Sequence, residues 1–476
     1  MRSFTPEEVR RSVRGRWRWP AGNVIVVGVS TDSRTAGDGQ VFVALRGDNF
    51  DGHDFLAQAA SAGCVTAVVD QSAQLDEGLL AMFEGGVISV ADTLAALGDL
   101  AAEVRSHLPA TVVAVTGSNG KTTVKRMIHH ILSRRLNGSV GVGNFNNAIG
   151  VPLTLFEAQA ENDYVICELG TNAPGEIGSL TRVVRPDVAV ITSVSAVHLE
   201  GLIDLEHVAA EKAAILGGLS PAGVGVVCAD SEPLARAVKA YDSRLIRFGQ
   251  DGSSELRLTG YEPRGGGGRF ELNGRRWVDL AVPGRHNAFN ALAAIAVAQR
   301  FGLNQDEAAD ALGDYAGEQM RLETIAAGAV TIINDAYNAN PASLLAAGEV
   351  LASREGKRRV LVAGDMRELG PDSARLHQSA GEALAALGLD LIVGVGEMGG
   401  QIADAAERAG AAAERIDSVE KACARLPKML KRGDAVLLKG SRAVGMERLV
   451  DPIRSAFERP RRARAPRTAK QRKSGK

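Results

Sequence analysis

The chain has 476 residues, which predicts about three domains at roughly 150 residues each. A hydrophobic content of 45% and a charged content of 23% are typical of soluble globular proteins, and an aromatic content of 4% argues against a protein built on base-stacking platforms. No apolar run reaches the roughly 18 residues of a membrane span, and the arginine-rich start lacks the apolar region and cleavage site of a signal peptide. We therefore expect a cytoplasmic protein.

Charge is distributed unevenly along the chain. The formal net charge is -1, but residues 459–476 hold nine Lys or Arg and no acid, so that the rest of the chain carries about -10. A segment of this composition cannot bury enough apolar surface to order itself. We predict a basic disordered tail over 458–476, in preference to a tether for nucleic acid or an anionic membrane.

The cysteines give no sign of a metal site or of a disulfide framework. They lie far apart, with no C-x-x-C pair and no histidine at a spacing suited to zinc. We expect all four to be buried, reduced and structural: Cys64, Cys167, Cys228 and Cys423.

Residues 1–108 have the pattern of a small mixed α/β domain. Short apolar runs bounded by polar loops predict strands, and a longer periodic run predicts a helix. The predicted strands are Val24–Val29, Val41–Leu45 and Val65–Asp70, and the predicted helix is Phe55–Ala62.

Residues 109–315 alternate apolar strands with helical stretches, which predicts a parallel sheet covered on both faces. The predicted strands are Val112–Val115, Tyr164–Cys167, Val188–Ile191 and Gly225–Cys228. A β-rich insert, Leu256–Val282, carries the tetraglycine Gly265–Gly268 as a predicted loop.

Residues 316–457 repeat this alternation and predict a Rossmann-like C-terminal domain. The predicted strands are Val330–Asn334, Val360–Ala363, Leu391–Val395 and Ala435–Leu438. Gly394, Gly396 and Gly399 match the G-x-G-x-x-G pattern of dinucleotide sites. No acid is well placed to bind a ribose, and Asp417 is only a rough candidate, so we interpret these glycines as close helix–sheet packing without a dinucleotide.

The octapeptide TGSNGKTT, Thr116–Thr123, follows an apolar strand and opens a helical stretch, as a phosphate-binding loop requires. Its small residues allow backbone N–H groups to face an anion, Lys121 can neutralise phosphate oxygens, and the hydroxyl of Thr122 can reach Mg²⁺. The usual leading glycine is replaced by Val115. The alternative, a tightly packed turn without a ligand, does not explain a Gly-Lys-Thr-Thr run after a buried strand.

Acids and bases elsewhere are candidates to complete this site. Glu168 ends a strand at the carboxyl edge, where ligands of open α/β sheets bind, although an exposed strand-end acid is the alternative. His198 is a possible second metal ligand or a structural residue, and Lys212 alone would be a solvated helix lysine. Asn287 and Asn290, with His286, crowd the start of a helix as nucleotide contacts or as caps. From the third domain, the charges of Arg321, Asp335 and Lys439 suggest closure over a substrate.

The motifs together resemble those of the Mur ligases, ATP-dependent amide ligases that build the peptide of the peptidoglycan precursor. Segments in the order of that family are TGSNGKTT, NFNNAIGVPLTL (Asn144–Leu155), CELGTNAPGEI (Cys167–Ile177), HLEG (His198–Gly201), GRHNAFNALAA (Gly284–Ala294) and DAYNANPAS (Asp335–Ser343). The family's loop does not keep the leading glycine, which accounts for Val115.

Three further segments resemble the members that add D-alanyl-D-alanine to UDP-N-acetylmuramoyl-tripeptide. These are YNANP, GDMRELG (Gly364–Gly370, with His377 following) and KGSRAVGMERL (Lys439–Leu449). The DNPR motif of the diaminopimelate- or lysine-adding members is absent. STDSR and GDNFDGHDF resemble the segment that binds the UDP-sugar.

The resemblance implies a role for each matching residue. It assigns ATP binding to the octapeptide and to Asn287, Asn290, Arg321 and Asp335, and catalysis to Lys121, Glu168, His198 and Lys212. Thr122, Glu168, His198 and a carbamylated Lys212 would hold two Mg²⁺ ions. UDP-sugar residues would be Ser30, Asp32, Ser33, Arg34, Gly47, Asn49 and His53, and dipeptide-side residues would be Tyr337, Asn338, Asp365 and Glu368.

The reaction implied is attack of the tripeptide carboxylate on the γ-phosphorus of ATP, followed by attack of the D-alanyl-D-alanine amine on the acyl phosphate. We expect a monomer without an obligate protein partner. Two alternatives remain at this stage. One is an amide ligase of the same architecture that adds diaminopimelate, lysine or glutamate, and the other is a nucleotide-switch binding protein.

Overall fold

The computed structural model describes residues 3–47, 49–195, 199–354 and 357–458. The chain divides into two compact units. The first comprises the residues up to Glu318 together with Asn340–Ala346 and Arg367–Leu376, and the second comprises Gln319–Ala339, Ala347–Met366 and the residues from His377 onward. Within the described ranges, no helix combines the length and the apolarity that a membrane crossing needs.

The first unit opens with a five-stranded sheet in the order β1-β5-β4-β3-β2. Strands β2 to β5 are parallel, and β1 pairs antiparallel with β5. Its elements are α1 (Pro6–Ser12), β1 (Arg16–Trp19), β2 (Gly28–Ser30), β3 (Gln40–Val43), α2 (Leu56–Ser61), β4 (Thr66–Asp70), α3 (Glu77–Leu80), β5 (Val87–Val90) and α4 (Thr93–Ser106). The strand predicted at Val24–Val29 is wrong over most of its length, because only β2 pairs continuously and Val26 makes an isolated bridge to Phe4.

A nine-stranded sheet forms the centre of the first unit, in the order β14-β13-β12-β11-β10-β9-β6-β8-β7. Its first half contains β6 (Thr111–Thr116), α5 (Lys121–Leu132), β7 (Gly138–Val140), α6 (Gly150–Phe156), β8 (Tyr164–Glu168), α7 (Glu176–Val184), β9 (Val188–Ile191), α8 (Leu199–Leu202) and α9 (Leu205–Ala213). Its second half contains β10 (Val224–Cys228), α10 (Glu232–Ala237), β11 (Arg244–Gly249), β12 (Leu256–Arg264), β13 (Gly267–Leu272), β14 (Arg276–Leu280), α11 (Arg285–Arg300) and α12 (Gln305–Ala311).

Strands β6 to β12 of this sheet are parallel, whereas β12, β13 and β14 form an antiparallel meander. The predicted loop Gly265–Gly268 is therefore only half correct, since Gly267 and Gly268 begin β13 and pair with β12. Helix α4 joins the two sheets of the unit, because Leu97 and Leu100 belong to the same buried apolar cluster as Val41 and Val112.

The sheet of the second unit has six strands in the order β15-β16-β20-β17-β18-β19, all parallel except for the β15–β16 hairpin. The remaining elements are β15 (Glu323–Ala327), β16 (Val330–Asp335), α13 (Pro341–Ala352), β17 (Arg359–Ala363), α14 (Ser373–Ala385), β18 (Leu391–Val395), α15 (Glu397–Arg408), β19 (Ala413–Ile416), α16 (Val419–Met429), β20 (Ala435–Lys439) and α17 (Val450–Phe457). The three predicted groups of strands thus correspond to three sheets, while the predicted domain boundaries remain predictions.

The cysteines are free thiols. Cys64 and Cys167 are buried as expected, whereas Cys228 and Cys423 are only partly buried. Burial raises the pKa of Cys167 to about 12 and that of Cys64 to about 11, so both are protonated thiols at neutral pH.

Candidate active site

The octapeptide forms a strand–loop–helix turn at the carboxyl edge of the central sheet. Thr116 ends β6, and Lys121 is the first residue of α5. Gly120 caps the helix with φ of +81°, a left-handed conformation that glycine adopts without strain, and a Cβ there would lie 2.3 Å from Oδ1 of Asn290. The backbone N–H groups at the start of α5 and the partial positive charge of its N-terminus make this turn an anion site.

The loop is held in place by the segment after β9. The backbone N–H of Ser118 donates to the carbonyl of Ser193 at 2.8 Å, and that of Asn119 donates to the Ser193 hydroxyl at 3.0 Å. The Ser118 hydroxyl donates to the carbonyl of Ser195 at 3.1 Å, and the Thr116 hydroxyl donates to that of Leu169 at 2.9 Å. Ser193 and Ser195 were not among the predicted residues, since serines after a strand have no distinctive spacing.

The start of helix α11 lies beside the loop, because Asn290 is next to Gly120. Asn290 donates from Nδ2 to Oδ1 of Asn287 at 3.0 Å, and Asn287 donates to the carbonyl of Pro283 at 2.7 Å. Both are buried, but neither is the N-cap of the helix, which is Gly284. Asn340, also in the first unit, donates to Oδ1 of Asn119 at 2.7 Å.

Glu168 is a buried carboxylate at the end of β8, not the exposed acid that was its alternative. It is 2% exposed, and the Thr122 hydroxyl donates to its Oε2 at 2.9 Å. Lys125 Nζ lies 3.0 Å from the same oxygen, and Asn146 Nδ2 donates to Oε1 at 3.2 Å. Lys125 and Asn146 were missed, although Lys125 follows Lys121 by one helical turn. Lys121 itself donates from Nζ to the carbonyl of Gly117 at 2.7 Å.

Lys212 lies on α9 and is 0% exposed, so that the solvated lysine suggested by its sequence alone is wrong. Within the described residues its Nζ has no hydrogen-bond partner. Desolvation and, next, the positive charge of Lys121 hold the pKa of Lys212 well below its ordinary value, although Glu211 and Glu176 act in the opposite direction. The side chain is therefore a neutral amine over a wider pH range than an ordinary lysine.

The neighbour of Lys212 orders the loop that follows β8. Glu211 accepts hydrogen bonds from the backbone N–H groups of Gly175 and Ile177, each at 2.7 Å, at the start of α7. Glu176 accepts from the N–H groups of Asn172 and Ala173. Two carboxylates thus hold the turn of the motif CELGTNAPGEI through backbone hydrogen bonds.

His198, the other predicted metal ligand, lies outside the described residues.

A divalent cation fits this donor set. A hydroxyl and a carboxylate, Thr122 and Glu168, meet at the phosphate loop, and oxygen donors of this kind suit Mg²⁺. The described residues contain no cluster of three or more His, Cys, Asp or Glu. The amine of Lys212 is a further buried polar group, and it has no hydrogen-bond partner among the residues that the structure describes.

The predicted UDP-sugar residues lie on the loops of the first sheet. Ser30 and Asp32 form a turn in which the Ser30 hydroxyl donates to the Asp32 carbonyl at 3.0 Å, and hydrogen bonds from Arg34 lower the pKa of Asp32 to about 2. The Ser33 hydroxyl donates to Oε1 of Gln58 at 3.0 Å. His53 faces Asp51 through Nδ1 and accepts the N–H of Asp70 at Nε2, contacts that brace the fold. Gly47 and Asn49 flank a residue outside the described ranges, and their role stays a prediction.

Within the second unit, the predicted residues gather around the end of β16. Lys439 Nζ contacts Oδ2 of Asp335 at 2.6 Å and donates to the carbonyl of Asn338 at 2.9 Å. The Arg321 guanidinium stacks over the ring of Tyr337 at 4.2 Å. The Lys439–Asp335 ion pair of this cluster is nearly excluded from water.

The glycine pattern of the second unit has the packing that the sequence suggested. A Cβ at Gly394 would lie 2.0 Å from the carbonyl oxygen of Gly399, so the helix and strand approach too closely for any other residue. Oδ1 of Asp365 accepts the N–H groups of Met398 and Gly399 at the start of α15, where a pyrophosphate would sit in a dinucleotide site. This leaves one oxygen of Asp365 for the predicted dipeptide contact.

Glu368, another predicted dipeptide-side residue, belongs to the first unit and has a left-handed backbone with φ of +64°.

The burial of Lys212 predicts how stability depends on pH. The unfolded chain binds more protons than the folded one between the lowered pKa and the ordinary pKa of about 10.4, so wild-type stability should increase as pH rises through that window. We expect Lys212→Met to raise the midpoint of thermal unfolding in CO₂-free buffer at neutral pH, with the gain shrinking towards pH 10. Scanning calorimetry across pH measures this difference. The exposed Lys239→Met is the control, and a gain that stays constant with pH would contradict the account.

Comparison with known proteins adds the family context. Three family models match: "Mur ligase family, catalytic domain" over 25–105, "Mur ligase middle domain" over 115–298, and "Mur ligase, glutamate ligase domain" over 320–442. The UDP-N-acetylmuramoyl-tripeptide–D-alanyl-D-alanine ligase of Escherichia coli (strain K12) is 38% identical over 430 residues, which covers 89% of this chain and 92% of that protein. The ligase of the same name from Bacillus subtilis (strain 168) is 35% identical, with coverage of 94% and 98%.

Solved structures agree with these relatives. A crystal structure of MurF from Acinetobacter baumannii is similar with a TM-score of 0.86 at 32% identity, covering 96% of this chain and 99% of that one. The MurF ligase of Thermotoga maritima in complex with ADP has a TM-score of 0.80 at 27% identity, covering 90% and 97%.

Proposed function

The chain belongs to the Mur ligase family, and from this premise we propose that it joins D-alanyl-D-alanine to the terminal carboxylate of UDP-N-acetylmuramoyl-tripeptide at the expense of ATP. The product is a pentapeptide precursor for peptidoglycan, formed in the cytoplasm. The observation that carries the proposal is the contact between Thr122 and the buried Glu168 at the phosphate loop. The names and structures of the relatives support the choice of substrates.

The phosphate groups of ATP would bind at the start of α5. Backbone N–H groups of the loop and the Lys121 ammonium would contact the phosphate oxygens, and Thr122 and Glu168 would hold Mg²⁺. Mg²⁺ bound there would neutralise phosphate charge and so ease the approach of a second anion. A second ion held by His198 and a carbamylated Lys212 remains part of the proposal. Arg321 and Asp335 are the residues of the second unit proposed to contact ATP.

The two chemical steps transfer one oxygen and form one amide. A carboxylate oxygen of the tripeptide attacks the γ-phosphorus, its O–P bond forms, and the bond from phosphorus to the β–γ bridging oxygen breaks to release ADP. The amine of D-alanyl-D-alanine then attacks the acyl carbon, the C–N bond forms, phosphate leaves, and the amine loses a proton. Holding the reactants close together and in the right orientation would lower the activation free energy by up to roughly 7 to 11 kcal/mol. Lys121 and the dipole of α5 counter the repulsion between carboxylate and phosphate.

Lys212 has the properties that carbamylation requires. Its amine is buried, has no hydrogen-bond partner among the described residues, and has a lowered pKa, so it is available in its neutral form to attack CO₂. The new N–C bond yields a carbamate and releases a proton. Carbamylation would turn a potential cation near Lys121 into an anion, and the positive charge of Lys121 would stabilise that anion.

Acceptor-dependent phosphate release tests the proposed reaction. We expect the purified protein to release phosphate from ATP only when UDP-N-acetylmuramoyl-tripeptide and D-alanyl-D-alanine are both present, because the acyl phosphate must form and then be consumed. A coupled phosphate assay with each substrate omitted in turn gives the measurement. Release with ATP alone, or equal release with lysine or diaminopimelate in place of the dipeptide, would reject the proposal.

Chemical rescue tests the carbamate. We expect Lys212→Ala to lose most of the ligase activity, and short carboxylic acids such as formate or acetate to restore part of it by occupying the space left by the removed side chain. The exposed Lys239→Ala should keep full activity and show no response to these acids. A Lys212→Ala protein as active as wild type would exclude a catalytic role for Lys212.

A further inference from the structure

Lys125 is a buried lysine to which no motif assigns a role. It lies one helical turn after Lys121 on α5, a helix in which Val124 and Met127 are also buried, and is 0% exposed. Burying an ammonium group is costly unless its charge is paired and its hydrogen-bond donors are satisfied. An apolar side chain would avoid this cost, and therefore packing does not explain the lysine.

The ammonium of Lys125 has three partners from two other segments. Its Nζ lies 3.0 Å from Oε2 of Glu168, and it donates to the carbonyl oxygens of Gly141 at 3.1 Å and Gly143 at 2.8 Å. These contacts use all three of its N–H donors. One side chain thus links α5, the end of β8 and the loop that follows β7.

Glu168 is consequently held from both of its oxygens. The Thr122 hydroxyl and Lys125 contact Oε2, while Asn146 Nδ2 contacts Oε1 at 3.2 Å. Asn146 is itself tied to the segment after β8, because its carbonyl accepts the N–H of Gly170 at 2.7 Å. The plane of the carboxylate is therefore set before any cation binds.

The same contacts order the loop of residues 141–146. Gly141 is anchored to β8 by a hydrogen bond from its N–H to the carbonyl of Ile166 at 3.0 Å. Beyond it the loop exposes Val142 and Phe145, which are 66% and 41% exposed. One ammonium group therefore contacts both this loop and Glu168.

We propose that Lys125 is a positioning residue that, together with Asn146, orients Glu168 for Mg²⁺ and couples that carboxylate to the loop of residues 141–146. The proposal rests on the proposed function for the identity of the cation and the nucleotide. Groups that hydrogen-bond to a metal ligand and fix its orientation raise metal affinity, and their loss typically weakens it by about 10- to 100-fold.

A purely electrostatic role for Lys125 makes the opposite prediction. If the ammonium only balanced the charge of Glu168, its removal would leave the site more negative, and Mg²⁺ would bind more tightly. If it sets the orientation of the carboxylate, its removal weakens Mg²⁺ binding. The sign of the change distinguishes the two roles.

The test is calorimetric titration of Lys125→Met with the non-hydrolysable β,γ-imido analogue of ATP at a series of Mg²⁺ concentrations. We expect the half-saturating Mg²⁺ concentration to rise by about tenfold or more. Affinity for the analogue in EDTA should match wild type, because the three bonds of the Lys125 ammonium go to Glu168, Gly141 and Gly143 and not to residues of the phosphate loop. An unchanged or lowered half-saturating Mg²⁺ concentration would overturn the proposal.

Two further variants separate positioning from folding. Arg105→Met removes a largely buried cation, paired with Asp187 at 2.8 Å, at the opposite edge of the sheet, and should leave the Mg²⁺ dependence unchanged. Asn146→Ala removes only the donor to Oε1 and should raise the Mg²⁺ requirement even if Lys125→Met does not fold; no rise in that variant would count against the proposal. These titrations need no acceptor, so a failure of the ligase assay would be seen separately.

Discussion

The central constraint in this molecule is a carboxylate buried at the end of a parallel strand. Glu168 is 2% exposed, and an ionised group in such a place is tolerated only when it is paired and hydrogen-bonded. The phosphate-loop helix supplies a hydroxyl and an ammonium from Thr122 and Lys125, and the loop after β7 supplies an amide from Asn146. The hydrogen bonds and the ion pair of this one carboxylate therefore fix the position of the phosphate-loop helix relative to the loop after β7 and the end of β8.

The amino groups of three lysines in the first unit have three different environments. The ammonium group of Lys121 lies at the phosphate loop and donates to the carbonyl of Gly117. Lys125 is fully buried and neutralised by Glu168. Lys212 is fully buried without a hydrogen-bond partner in the described part of the chain, and burial favours its neutral amine. A ligase that brings a carboxylate to a triphosphate needs positive charge near the phosphates and little repulsion elsewhere, and this distribution serves that need.

The sequence predicted the secondary structure well where the apolar runs were unbroken. Val188–Ile191 and Leu391–Val395 are strands with the predicted bounds, because four or five consecutive buried residues, all aliphatic except Gly394, admit few other structures between polar turns. The prediction failed at Val24–Val29, where most of the apolar run has no continuous partner strand. It also failed at Gly267, because two glycines that were predicted to lie in a loop pair with the neighbouring strand. Strand pairing is a tertiary property that a local pattern does not contain.

The candidate site was predictable in its glycines, threonines and strand-end acid, because those residue types have a fixed spacing for a fixed chemical reason. Lys125 and Lys212 were not, because a lysine in a helix is usually solvated and only the packing around it reveals burial. For Lys212 the family resemblance gave the role that its local sequence did not. For Lys125 the three contacts of its ammonium were needed.

The central step of the proposed reaction is the attack of a substrate carboxylate on the γ-phosphorus of ATP at the loop Thr116–Thr123. The most direct measurement uses UDP-N-acetylmuramoyl-tripeptide with ¹⁸O at both oxygens of its terminal carboxylate, followed by mass analysis of the phosphate released during ligation. We predict that each phosphate carries one ¹⁸O atom, because the attacking oxygen leaves with phosphorus when the amide forms. Phosphate free of ¹⁸O, released together with the amide product, would contradict the account.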